Sequence, residues 1–216
     1  MFETSVNVQL VIAKYKEDVS WVSRINIPAL IYDKSVCGMP NSLPNIGREA
    51  HTYLHYILYY YPFFPEYTVF LQGDPFSHMC FEMSPEKLGV LISNYIERKI
   101  FFKGFANYVI RCDFCGKPHN LESNKGKWVG CYKDIPVGNV YGELFSGEIP
   151  RLFHCRAPAG LFIVHSSRIL CRSRSFYKKA MELVTRDPFD NMNTGHAFER
   201  LWYIIFNGNS KLNKLL

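Results

Sequence analysis

The stretch V-F-L-Q-G-D-P-F-S-H, Val69–His78, decides how this chain folds. With Tyr67 and Thr68 ahead of it, the front half reads as a short buried-type strand ending at Gln72. The turn residues Gly73, Asp74 and Pro75 stop it, and His78 stands four residues beyond Asp74. Polar residues at the carboxyl end of such a strand lie where an open α/β protein places its ligand. A second block, N-I-G-R-E-A-H-T-Y-L at Asn45–Leu54, puts Asn45 and Gly47 ahead of a helical run with Arg48 and Glu49 in its first turn. Together the two blocks read as a site for an anionic, metal-associated ligand.

The flanking sequence repeats the theme. Val6–Ala13 is an apolar run rich in Val and Ile, a strand covered on both faces, which ends at Lys14-Tyr15-Lys16-Glu17-Asp18. Val19, Trp21, Val22 and Ile25 suggest a short helix, and Ala29–Tyr32 a second strand stopping at Asp33-Lys34. The helix from Arg48 to about Tyr60 places Tyr53, Leu54, Ile57, Leu58 and Tyr61 on one side. After the Tyr67–Gln72 strand, Ser84-Pro85-Glu86-Lys87 opens another helix, with Ser at the cap and Pro at the first helical position. The alternating order predicts an α/β fold with a mostly parallel, doubly wound sheet. Its ligand edge would collect Tyr15, Glu17, Asp18, Asp33 and Asp74.

Residues 112–150 are rich in Gly, Asn, Lys and Pro and read as an irregular segment bordering the acceptor side of a cleft. Order returns with a strand at Gly160–His165, a helix around Ser175–Val184 and a helix at Ala197–Phe206. With no repeat or long linker, residues 1–216 read as one domain.

Composition narrows the classes. At 48% apolar and 20% charged residues the chain is a folding one and not a disordered one. The net charge of +6 is spread along the chain, which suits a phosphate-bearing small ligand and not nucleic acid. No segment has the roughly 20 apolar residues of a membrane span, and Met1-Phe2-Glu3-Thr4 lacks a signal-peptide start. Seven cysteines without such a start point to reduced thiols in the cytoplasm.

Each candidate site has a plainer alternative. The unpaired N–H groups of a helix start and the fork of Arg48 suit phosphate, and Gly47 lets backbone approach a ligand. Alternatively Asn45 simply caps the helix, with Arg48 and Glu49 solvated. Asp74 at a strand end is a ligand for Mg or Mn, or else part of a Gly-Asp-Pro turn with His78 incidental. Glu199, beside Phe198 on an amphipathic helix, could be a general base whose proton affinity desolvation raises; a salt bridge with Arg200 is the alternative. Cys112 and Cys115, with His119, Cys131, His154 and Cys155, are irregularly spaced, and no zinc is expected. No P-loop, nucleophile elbow or dinucleotide fingerprint is present.

The series V-I-A-K-Y-K-E-D-V-S-W, L-I-Y-D-K, L-P-N-I-G-R-E-A-H-T-Y-L, V-F-L-Q-G-D-P-F-S-H, A-G-L-F-I-V-H-S-S-R-I-L and F-E-R-L-W-Y-I-I-F resembles a family of uncharacterised domains. That family looks like a compact branch of the GT-A-type nucleotide-sugar glycosyltransferases, and the chain is also similar to small glycosyltransferase domains of large algal (chlorella) viruses. The resemblance implies a GT-A-like fold and transfer of a sugar from a nucleoside-diphosphate sugar, UDP-linked, to a glycan or glycoprotein acceptor. In a viral chain the setting would be host cytoplasm. Ala13, Tyr15 and Glu17 match the loop that holds base and ribose, Asp33 the acid that contacts them, and Arg48 the residue near the diphosphate. Gly73 and Asp74 fall on the D-x-D-type metal motif, where Asp74 is the sole acid, so His78 or a distant residue would complete a Mn or Mg site. Glu199 matches the late acid that serves as general base. A non-catalytic nucleotide- or carbohydrate-binding module is the alternative.

Overall fold

The computed structural model describes residues 6–79, 82–106, 109–116, 135–146, 148–151, 153–156, 160–189 and 191–207. The first half follows the expected alternation: β1 (Val8–Lys14), a 3-10 turn (Ser20–Arg24), β2 (Ala29–Asp33), α1 (Arg48–Tyr60), β3 (Tyr67–Gln72) and α2 (Pro85–Glu97). Ser84 caps α2, its Oγ accepting from the Lys87 amide at 3.3 Å. The second half adds β4 (Phe102–Gly104), β5 (Val109–Cys112), α3 (Val137–Phe145), β6 (Phe153–Arg156), β7 (Phe162–His165), α4 (Ser166–Leu170), α5 (Arg174–Thr185) and α6 (Asn191–Phe206).

The main sheet has the order β2-β1-β3-β7-β4, and β5 and β6 form a separate antiparallel ribbon. The pairs β1–β2 and β1–β3 are parallel, whereas β7 runs antiparallel to both β3 and β4. The sheet is therefore mixed and not mostly parallel. The alternating order that predicts a parallel sheet covers only the first half of the chain, and β7, buried along most of its length, joins the sheet from the second half in the opposite direction. Its direction depends on the end from which the chain re-enters, which no local pattern records.

Strand alternation divides the core into two layers. Leu10, Ile12, Val69, Leu71 and Ile163 meet Trp21, Ile25, Leu88 and Ile92 on one face. Val11, Ala13, Phe70, Phe162 and Val164 meet α1, α3, α5 and α6 on the other, where Trp202 and Tyr53 are fully buried. Period-two alternation in a strand requires this division.

The segment expected to be irregular over 112–150 contains α3. Val137, Val140, Tyr141 and Leu144 recur at helical spacing and are buried, but Gly138 and Gly142 mask the signal by lowering intrinsic propensity. Residues 117–134 and 147 of that segment lie outside the described residues. Helix α6 starts six residues earlier than expected because Asn191, Asn193, Thr194 and Gly195, weak helix formers, are packed inside. Among the basic residues of 168–174, Arg168 and Arg172 donate to the carbonyls of Asn207, Ile205 and Ile204 near the end of α6. Among the described residues, no helix is long and apolar enough to cross a membrane.

Candidate functional site

Strands β1, β2 and β3 end together. Ala13 is in register with Tyr32 and Gln72, and Lys14 with Asp33. Lys14 and Asp33 form an ion pair across the two strand ends, and Asp33 also accepts from the amide and hydroxyl of Ser35. Partial burial would raise the Asp33 carboxyl, but Lys14 and Ser35 outweigh it and hold it low. Ala13 turns its methyl group into the core, and its carbonyl accepts from the Gly73 amide at 2.9 Å.

Tyr15 and Glu17 are exposed beyond β1. Glu17 folds back so that Oε2 accepts from the amides of Tyr15 at 2.7 Å and Lys16 at 3.1 Å. A side chain at Gly73 would put a Cβ 2.7 Å from that oxygen, so glycine is what lets the loops after β1 and β3 touch. Trp21 Nε1 donates to the Gly73 carbonyl at 2.8 Å and fixes the β3 exit. Asp74 and His78 then stand exposed, and neither side chain makes a hydrogen bond or ion pair with another described residue.

The turn before α1 is built differently. Gly47 has φ +59° and Arg48 φ +50°, two successive left-handed residues. A non-glycine residue held there costs about 1–3 kcal/mol and persists only where its surroundings impose it. Three contacts do so. The Gly47 amide donates to Asn191 Oδ1 at 2.8 Å, and buried Lys34 donates from Nζ to the carbonyls of Ile46, at 2.6 Å, and Arg48. Gly195 of α6 lies so close that a Cβ there would fall 2.7 Å from the Gly47 carbonyl oxygen. Asn45 is exposed and does not cap; the cap residue is Gly47, without a side-chain bond.

Behind this turn lies a buried charge cluster. Arg48 Nε is 3.4 Å from Glu199 Oε1 and 3.7 Å from Glu49 Oε2. His196 Nδ1 lies 3.3 Å from Glu199 Oε1, and Arg200 Nη1 3.8 Å from Glu199 Oε2. Desolvation would raise the Glu199 carboxyl, but the hydrogen bond from His196 and the charges of His196, Arg200 and Arg48 win and hold it low. That reverses the expectation of a raised proton affinity: α6 sets His196 and Arg200, and α1 sets Arg48, around the acid. Glu49 goes the other way, pushed up by burial and by the charge of Glu199, with Arg48 opposing. Burial, aided by Arg48 and opposed by Glu49, lowers the Lys34 ammonium to about 8.

Arg48, Glu49 and Glu199 are thus brought together at the β1–β3 strand ends, where Glu49 also flanks Gly160 and Gln72. Tyr15, Glu17, Asp33, Gly73 and Asp74 rim the same edge. Lys34, Glu49, Asn191, Gly195 and His196 carry parts of the site that sequence reasoning missed. Only Gly195, a glycine ahead of an amphipathic run, left a trace of the close approach it permits.

A metal reading rests on Asp74, whose unengaged carboxylate suits a hard ion bound by one protein oxygen and substrate phosphates. Among the described residues no group of three or more His, Cys, Asp or Glu could hold an ion. The cysteine cluster divides: burial pushes the Cys112 thiol up to about 11, while His119 and Cys131 lie outside the described residues.

Neither curated proteins nor solved structures include a significant match to this chain. Residues 10–214 do match one family almost end to end, and the chain belongs to it: the family described as Protein of unknown function (DUF3431).

Proposed function

We propose that this protein is a glycosyltransferase on a GT-A-like fold, moving a sugar from a UDP-linked nucleotide-sugar to a hydroxyl of a glycan or glycoprotein acceptor. One observation carries the reading. At the carboxyl ends of β1, β2 and β3, the cations Lys34, Arg48 and Arg200 outnumber the two carboxylates packed among them. Arg48 alone of the three keeps substantial solvent access, its side chain 29% exposed. A surplus of positive charge within this cluster, reaching solvent through Arg48, suits a diphosphate.

The remaining roles follow from position. Tyr15 offers an exposed ring to a base, and Asp33 and Glu17 offer carboxylates to ribose or base hydrogens. Arg48 supplies a charged fork for phosphate. The acceptor oxygen attacks the anomeric carbon as the bond from that carbon to the diphosphate oxygen breaks. The electron pair departs with the diphosphate, and the hydroxyl proton passes to a carboxylate, Glu199 in this reading. Mn or Mg, held by Asp74 with His78, would supply neutralisation of the leaving group when bound.

A non-catalytic nucleotide- or carbohydrate-binding module is the second reading. The cationic partners of Glu199 favour it, because they weaken that acid as a base. Calorimetry with UDP and UDP-sugars, with and without Mn, followed by an assay of UDP release, separates the cases. Binding with release supports the enzyme, binding without release supports the module, and no binding at millimolar ligand defeats both.

A further inference from the structure

Glu49 is a residue without a task in the reading above, and its surroundings are unusual. Its side chain is 5% exposed. Oε2 faces Arg48 Nε, the same nitrogen that faces Glu199 Oε1, and Glu49 Oε1 is buried with no hydrogen-bond partner in the structure. The space around it is kept by glycine. A Cβ on Gly160, at φ +70°, would lie 2.8 Å from Glu49 Cγ and 2.9 Å from Oε1.

The charged and titratable groups around it come from several elements. Arg48 and Tyr53 face it from α1, Lys34 from the end of β2, and Glu199 from α6 with His196 and Arg200 behind it. Gln72 closes the β3 side. Of the two acids, Glu199 takes all three α6 and α1 partners, whereas Arg48 is the one cation in ion-pair range of Glu49 among the described residues. Two carboxylates sharing one guanidinium nitrogen in a desolvated site do not both ionise readily. A carboxylic acid that keeps its proton can donate to the neighbouring carboxylate.

We infer that Glu49 is a positioning residue that works protonated: it donates a hydrogen bond to Glu199, keeps Glu199 and Arg48 in place, and leaves the cation surplus of the site intact for an anionic ligand. Loss of that proton puts a second negative charge beside Arg48 and weakens the anion site. This inference rests on the reading of the edge as a diphosphate site. Burial and the Glu199 charge, which raise the Glu49 carboxyl, agree with it.

The test compares wild type with Glu49→Gln, which keeps a hydrogen-bond donor but cannot ionise. Affinity for UDP is measured by calorimetry from pH 6 to pH 9.5 in both proteins, so that the ligand's own ionisation cancels. The wild type should lose roughly 10-fold more affinity across this range than the Gln variant, as expected for one added charge in a low-dielectric site. It should also take up as much as one proton on binding near the middle of the range. Equal pH profiles would overturn the inference while leaving the diphosphate reading standing.

A second arm needs no ligand. Glu49 with a raised folded value binds a proton that the unfolded chain has released, so its contribution to stability is lost as pH rises from about 5 through the folded value. Urea unfolding should show this decline in wild type and not in Glu49→Gln. A shared slope, or a Gln variant that fails to fold at pH 6, overturns the protonated role. If UDP binds to neither protein while the slopes differ, the diphosphate reading fails and the coupling to anion binding falls with it.

Discussion

Two loops meet at the same sheet edge and are built in opposite ways. The exit of β3, from Gly73 to His78, is anchored through its backbone by Ala13 and Trp21, while Asp74 and His78 project into solvent. The turn before α1 is clamped by side chains from β2 and α6, and its charges are sunk into a common cluster. The first arrangement leaves ligating groups available at little cost to the fold. The second makes the fold depend on the same residues that would bind a ligand, so strain at Arg48 can be sustained.

The largest effect should separate the two loops outright. Glu199→Ala leaves Arg48 and Arg200 facing a buried gap and should destabilise by about 3–5 kcal/mol, the cost of breaking a buried ion pair. Asp74→Ala should change stability by less than about 0.5 kcal/mol, as surface substitutions do. Urea unfolding of both variants checks this, and similar losses would erase the contrast. The isosteric Glu199→Gln addresses function: in the proposed role of general base its loss should cost turnover about 100- to 10,000-fold, while UDP affinity should hold or rise, because a negative charge beside Arg48 is removed.

Lys34→Met sharpens the clamped side. It deletes hydrogen bonds from a buried ammonium to two carbonyls of the turn, an expected loss of about 1.5–3 kcal/mol. UDP affinity should fall with it, because the conformation at Arg48 depends on those bonds. A Lys34 variant with normal stability would show that the turn holds itself.

Gly195→Ala probes the clamp from α6. Its methyl group would press on the Gly47 carbonyl, and overpacking of this kind costs about 1–3 kcal/mol. A thermal midpoint equal to wild type would mean the two backbones can separate freely. The smallest structural effect belongs to Asp74→Asn, which should leave stability within about 0.5 kcal/mol of wild type yet abolish any Mn-stimulated binding of UDP-sugar. Unchanged metal stimulation in calorimetry would move the ion away from Asp74.

Much of the first half of the chain is legible by eye. The runs at Val8–Lys14, Ala29–Asp33 and Tyr67–Gln72, the helix from Arg48 and the Ser84 cap are local signals, because apolar periodicity, turn residues and caps act within a few positions. From them alone comes the convergence of Tyr15, Asp33 and Asp74 at one sheet edge, since parallel strands joined by crossovers must end on the same side. Other features depend on contacts far apart in sequence. The reversed direction of β7 depends on how the chain returns to the sheet. The left-handed Arg48 is imposed by Lys34, Asn191 and Gly195, and the Asn191 bond to Gly47 spans 144 positions. The opposite shifts of Glu49 and Glu199 exist only because α1 and α6 bury two acids around one guanidinium. Charge in a protein interior is set by the full set of neighbours and their desolvation, and that set is assembled only by the tertiary fold.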